Sequence, residues 1–428
     1  MRRGGGLLAF VGFWAAAPAT AQLGPAEALA QDAAEFARVA GVTPEQAATQ
    51  LRAQVDTRAV TDALRIEFRD RLAGISVRHR PGFGVDVLLT GDAPVAPRWT
   101  VGGGVPVPIT FRTGAPATRE QLLAALTRHQ AAIRALLPRP PGLGVDARTG
   151  TLALVVSTAD AASYAPGALE AEVAALTGVP VSLRLVDGIV SDSGAVEGGA
   201  RVLGVGEDGR RYLCTAGFVV TDDARDGLVT AAHCADQADY VAPDGSRLPL
   251  SFVGQWGWSH QDVQLHLADG ALSPAFYADT AKTTLRPVTD VQPRAATRAG
   301  DVVCHRGERT GYSCAQVELV DFAPAGDLCG GPCAPTWVSV AGPSCRAGDS
   351  GGPVFLGTTA LGIMKGGSYR PDKSCAFWFY MSTDYLPEGW RVRKAPIPPL
   401  QGEGDRSAQP SGGGVFPSRE GVTPPSRG

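Results

Sequence analysis

The sequence predicts a chain of two characters, an α+β front half and a turn-rich, all-β rear half. Three observations carry this. The 428 residues include 54 glycines and 33 prolines, a level that favours many short strands joined by turns. All eight cysteines lie between Cys214 and Cys375, so the chain changes character near residue 200. The front half carries helix signals instead: side-chain N-caps, a proline at a first helical position and apolar residues at helical spacing.

Composition sets outer limits. The length favours two or three units over one small domain. Hydrophobic residues make up 44%, which excludes wholesale disorder. With 39 basic and 42 acidic side chains, the net charge of −3 gives no reason to expect nucleic acid or an anionic membrane as partner.

Taken in order, the chain opens with Met1-Arg2-Arg3, an apolar stretch from Leu7 to Ala17, and Ala19-Thr20-Ala21 before Gln22. This is the pattern of a secretory signal peptide over residues 1–21. The apolar run is too short for a membrane span, which needs roughly 20 residues. Export would place the cysteines in an oxidising compartment.

Residues 22–195 are expected to fold as α+β. Thr43-Pro44-Glu45-Gln46 is a capping box, followed by Leu51, Val55, Leu64, Phe68 and Leu72 at helical spacing. Thr118-Arg-Glu-Gln121 is a second box, leading into Leu122, Leu126, Ile133 and Leu137 before Pro138. A third helix is expected from Ala168 to Thr177, stopped by Gly178, and a strand from Val179 to Val186. The hexapeptide Pro81-Gly-Phe-Gly-Val-Asp86 returns as Pro141-Gly-Leu-Gly-Val-Asp146, so two related subunits or a chance pair of turns would explain it. His79 and His129 are isolated and expected on the surface or a helix face. No nucleophile motif or phosphate loop appears in this half.

The rear half carries a nucleophile set. Val229-Thr-Ala-Ala-His233-Cys234 and Gly348-Asp349-Ser350-Gly351-Gly352-Pro353 are its two motifs. A serine hydroxyl needs a base to take its proton, and histidine titrates near working pH. The histidine needs a buried carboxylate to fix its tautomer. Asp262, opening an alternating strand between the two motifs, is the best candidate. Asp301 is the rival. Asp236, Asp239 and Asp269 look like turn residues. Glycines around Ser350 allow the sharp turn that aims consecutive N–H groups at an oxyanion.

Residues 196–390 resemble a chymotrypsin-fold serine endopeptidase of the bacterial alpha-lytic protease and streptogrisin subgroup. Beyond the two motifs, Val196-Glu-Gly-Gly199 is similar to that subgroup's mature N-terminus. Cys304-His-Arg-Gly-Glu-Arg-Thr-Gly-Tyr-Ser-Cys314 resembles its short disulfide loop, and Ala360-Leu-Gly-Ile-Met-Lys-Gly-Gly-Ser368 its specificity-pocket strand. The resemblance implies two antiparallel six-stranded β-barrels over 196–394, preceded by a pro-region over 22–195 that catalyses folding and then inhibits. Val145 to Val156 looks like that pro-region's hairpin.

The resemblance also assigns roles. Ser350 is the nucleophile, His233 the base and then acid, and Asp262 the orienting carboxylate. The N–H groups of Gly348 and Ser350 form the oxyanion hole. Gly366 and Gly367 pair with the substrate backbone, and Met364 lines the S1 pocket. With the short loop distances, it implies the disulfides Cys214–Cys234, Cys304–Cys314 and Cys345–Cys375. Cys329–Cys333 is a tight loop that departs from the family pattern, and in an exported protein a small disulfide ring is favoured there over a zinc site. No metal or cofactor is implied. The partners are protein or peptide substrates and the chain's own pro-region, and the enzyme is expected to be a secreted, extracellular or periplasmic monomer. A catalytically silent homologue acting as an extracellular binding protein is the alternative.

One departure stands out. The family usually has serine where Lys365 stands, beside the carboxylate. A cation there would disfavour the imidazolium and move the rate profile to lower pH. The plainer expectation is that Lys365 points to solvent. The Pro/Gly/Ser-rich stretch 395–428 is expected to be a disordered tail.

Overall fold

The computed structural model describes residues 21–186, 200–206, 211–243, 245–268 and 272–396, with the backbone alone at 190–192. Residues 1–20 of the proposed signal peptide, the Val196–Gly199 motif, Asp269 and all but the start of the tail lie outside these residues. From Ala21 to Ala395 the described chain belongs to one compact unit.

The rear half forms two closed antiparallel barrels. In the first, strand Arg201–Val205 pairs with Arg211–Thr215 on one side and Gln237–Val241 on the other. The ladder continues through Arg247–Trp256, Val263–Ala268 and Asp226–Thr230 to Val219–Thr221. Arg211–Thr215 and Val219–Thr221 act as one bent strand, with the Gly217 N–H bonded to the Val229 carbonyl at the bend. That continuity closes six strands. The second barrel runs Val302–Gly307, Gly311–Ala323, Trp337–Ala341, Cys375–Ser382, Thr359–Tyr369 and Pro353–Leu356. Its last strand pairs back with the first. Closure removes free edges, and alternation fills each barrel with apolar side chains. Phe218, Phe355, Trp378 and Tyr380 are among those buried in the second core.

The expected disulfide partners are joined: Cys214 to Cys234, Cys304 to Cys314, Cys329 to Cys333 and Cys345 to Cys375. The Cys329–Cys333 ring is therefore a bridge rather than half of a metal site.

The front half is open by comparison. Its helices Pro25–Ala40, Pro44–Asp56 and Arg58–Glu67 precede a four-stranded sheet of Leu72–Arg78, Gly84–Thr90, Val105–Ala115 and Arg98–Gly102. Both capping boxes form as expected. Thr43 and Gln46 satisfy each other's N–H groups, as do Thr118 and Gln121. Helix Ala168–Thr177 ends at Gly178, whose φ of 69° is in the left-handed region.

Three expectations are corrected. The pattern from Leu51 to Leu72 is not one helix. It breaks at Thr57, whose buried hydroxyl bonds back to the Ala53 carbonyl and accepts from Arg298, and Leu72 opens a strand. The two hexapeptides are not equivalent: the first supplies a turn and the second strand of its hairpin, the second supplies the first strand of its own. His79 is buried, with Nδ1 2.9 Å from Gln50 Oε1 and Nε2 2.9 Å from the Gly300 carbonyl.

The hairpin Gly142–Asp146 and Thr151–Ser157 extends the second barrel's sheet. Val145, Gly144 and Leu143 pair with Asp321, Phe322 and Ala323. Strand Val181–Val186 runs parallel to Thr151–Ser157 and completes the extension. Helices Arg119–Ala135 and Ala168–Thr177 cover it through Leu122, Leu126, Leu169 and Val173.

Candidate active site

His233 sits in a turn just after strand Asp226–Thr230, and its neighbour Cys234 is bridged to Cys214. Asp262 immediately precedes strand Val263–Ala268 of the same barrel. These anchors bring His233 Nδ1 to 3.0 Å from Asp262 Oδ2 and 3.2 Å from Oδ1. Asp262 is almost fully buried. Burial alone would raise its carboxyl, but the facing His233 and Lys365 charges outweigh that and bring it down to about 2. It is therefore a carboxylate at working pH and can hold the imidazole with its Nδ1–H inward. His233 Nε2 has no partner among the described residues.

Ser350 comes from the second barrel, in the turn ahead of strand Pro353–Leu356. Glycine is required on both sides of it. Gly348 has φ +103° and Gly351 φ +85°. A Cβ on Gly351 would strike Thr230 Oγ1 and the Thr215 carbonyl, so this glycine lets the serine turn press against the strand that carries His233. The Thr215 N–H donates to the Ser350 carbonyl at 2.8 Å, and Thr215 Oγ1 donates to the Gly348 carbonyl at 2.8 Å. Among the described residues, the Gly348 and Ser350 N–H groups are engaged by no carbonyl or side chain. Ser350 Oγ donates to the Lys365 carbonyl at 3.0 Å.

Sequence reasoning gave Asp349 no role. Its buried carboxylate accepts from the N–H groups of Arg309 at 2.8 Å, Thr310 at 3.1 Å and Arg346 at 2.8 Å, and from Thr310 Oγ1 at 2.8 Å. It ties the serine turn to the Cys304–Cys314 loop. Its place inside the Gly348–Pro353 motif was the available signal. Thr215 was missed because nothing in sequence marks a clamp that acts across 133 residues.

Other candidates fall elsewhere. Asp301 is bonded to Arg298 at 3.1 Å, and Asp236 accepts from Gln264 at 2.7 Å. Asp239 lies 3.5 Å from Arg247. Lys365 does not point to solvent. It is fully buried, with Nζ 3.4 Å from Asp262 Oδ2. Met364, expected to line the S1 pocket, is fully buried among the second barrel's core residues, opposite Tyr380 in the strand pairing. Gly366 and Gly367 lie on the strand edge beside the site. There the backbone of Val190–Asp192 runs antiparallel to them, pairing Asp192 with Gly366 and Ser191 with Gly367. A Cβ on Gly367 would come to 2.7 Å from Cys345 Sγ, so only glycine fits there.

Two closed barrels, with an imidazole–carboxylate pair from one and a glycine-flanked serine from the other, define a chymotrypsin-type fold. No family model matches the chain. Among known proteins it is similar to streptogrisin-C of Streptomyces griseus, with 26% identity over 166 residues, 36% of this chain and 32% of that protein. The chain thus spans about a third of this relative's length. Among solved structures, Thermobifida fusca protease A shares 20% identity at a TM-score of 0.35, over 46% of this chain and 98% of that one. Nocardiopsis protease shares 20% at 0.36, over 46% and 99%.

Proposed function

We propose that the chain is the precursor of an exported serine endopeptidase that releases itself from its front half. Ser350 Oγ attacks the substrate carbonyl, and its proton passes to His233 Nε2. Asp262 holds the imidazole and stabilises the imidazolium. The Gly348 and Ser350 N–H groups receive the oxyanion. The C–N bond then breaks, with His233 returning the proton to the leaving amine. Water hydrolyses the acyl-enzyme by the same route in reverse. In the precursor Ser350 rests on the Lys365 carbonyl, and it must leave that acceptor for His233.

The observation that carries the reading is the strand at 190–192. A peptide running antiparallel along Gly366–Ser368, beside Ser350, is the way a protease holds a substrate backbone. An esterase needs no such edge. The same strand belongs to the chain just before residue 195, so the front half would both present the bond to be cut and block the cleft until it leaves. The shared sheet with the second barrel supports a templating role for residues 22–195. Four disulfides support an oxidising destination. Among the described residues no helix is long and apolar enough to cross a membrane.

The test is to express the full chain and its Ser350→Ala variant in an exporting host. Wild type should separate into two fragments near residue 195, while the variant persists as one chain. Equal maturation of both would refute self-release.

A further inference from the structure

Lys365 stands where the parts of the site meet. It lies on strand Thr359–Tyr369, between core residue Met364 and substrate-edge residue Gly366. Its Nζ is 3.4 Å from Asp262 Oδ2, the oxygen that is also 3.0 Å from His233 Nδ1. The ammonium lies 5.5 Å from the centre of the Trp337 ring, within cation–π range. Its carbonyl accepts the Ser350 hydroxyl at 3.0 Å. One residue thus touches the carboxylate through its side chain and the serine through its backbone.

The other ionisable groups around the pair have their own engagements. Asp236 is held by Gln264, and His266 Nε2 lies 2.9 Å from Gln264 Oε1. Burial pushes His266 down to about 4, so it stays neutral under ordinary conditions. His260 packs on Tyr385, and Asp384 accepts the Arg294 N–H. Asp349 is taken up by the serine turn. Lys365 is therefore the cation that faces Asp262 besides His233 itself.

A buried ammonium needs a counter-charge, and Asp262 supplies it. The pair is close to neutral, whereas a lone carboxylate would be fully negative. When His233 takes the serine proton, its new charge forms beside this neutralised pair. Lys365 opposes that charge, so the imidazolium is favoured less than it would be beside aspartate alone.

We propose that Lys365 is a positioning residue that holds the Asp262 carboxylate and, by its charge, lets the enzyme work at lower pH than a variant with a neutral side chain there. This rests on the protease function proposed above. The test is the rate at which a fluorophosphonate probe labels Ser350 across about pH 4 to 9, in mature protein produced from the full chain. Wild type sets the reference midpoint of the acid limb. Lys365→Met and Lys365→Ser should move it up by about one pH unit, a loss of about tenfold near the foot of the limb. Lys365→Arg, which keeps the charge, should restore the low midpoint. A purely structural role would lower the rate at every pH without moving the midpoint, and that result overturns the proposal. If the neutral variants fail to mature, Lys365→Arg decides: a midpoint that departs from wild type although the charge is kept overturns it too. Absence of labelling in every protein at every pH refutes the protease reading, and Lys365's role falls with it.

Discussion

The two halves of the compact unit are held by different means. The rear half closes both of its sheets and staples its loops with four disulfides. The front half has no cysteine and leaves its sheet open, and it takes partners for its buried polar groups from the rear. Asp32 and Arg286 form a fully buried pair at 2.9 Å, and Asp32 also accepts from Tyr312 Oη and the Gly357 N–H. Gln54 bonds both the N–H and the carbonyl of Val302. Arg119 grips Asp321 with two bonds. The rear half thus closes its own two barrels, while the front half's buried polar groups are completed by contact with it. That difference fits the proposed release of the front half, because charged groups freed at the joint can regain water.

The comparison can be broken at several points. The largest effect is expected inside the rear half. Asp262→Asn should lower the catalytic rate about 10⁴-fold with little change in fold, because the amide favours the wrong imidazole tautomer. Near-normal rates would remove Asp262 from the mechanism.

Next comes the joint. Asp32→Ala leaves Arg286 buried without its carboxylate, a loss of about 3–5 kcal/mol to the precursor. The yield of mature protein should fall, while each molecule that does mature should label at the wild-type rate. A slower rate per mature molecule would mean that the front half is part of the working enzyme.

The smallest effect is a pH dependence. His266 is buried and lowered from 6.5 to about 4 by burial. Between those values the unfolded chain binds the proton and the native chain does not. Stability from this group is therefore complete above about pH 6.5 and is lost as pH falls through about 4, on the order of 3 kcal/mol. His266→Gln should flatten that part of a Tm-against-pH curve. An unchanged slope would show that His266 is not responsible.

Local chemistry was the legible part of this molecule. The two capping boxes, the stop at Gly178, the two nucleophile motifs and the choice of Asp262 all rest on residues close in sequence. Long-range packing was not legible. Helix Pro25–Ala40 was missed because its inner face is mostly alanine, at Ala28, Ala33 and Ala37, with Phe36 the one large apolar residue. The break at Thr57 depends on Arg298, 241 residues away. Lys365 reads as an exposed cation until Asp262 and Trp337 are seen around it.

The central claim is that Ser350 is a nucleophile activated by His233. Its most direct measurement is mass-spectrometric mapping of the fluorophosphonate adduct on mature wild type and on His233→Ala. One adduct per molecule on Ser350, lost in the histidine variant, is the expected result. No adduct on wild type, or an adduct on another residue, would contradict the account.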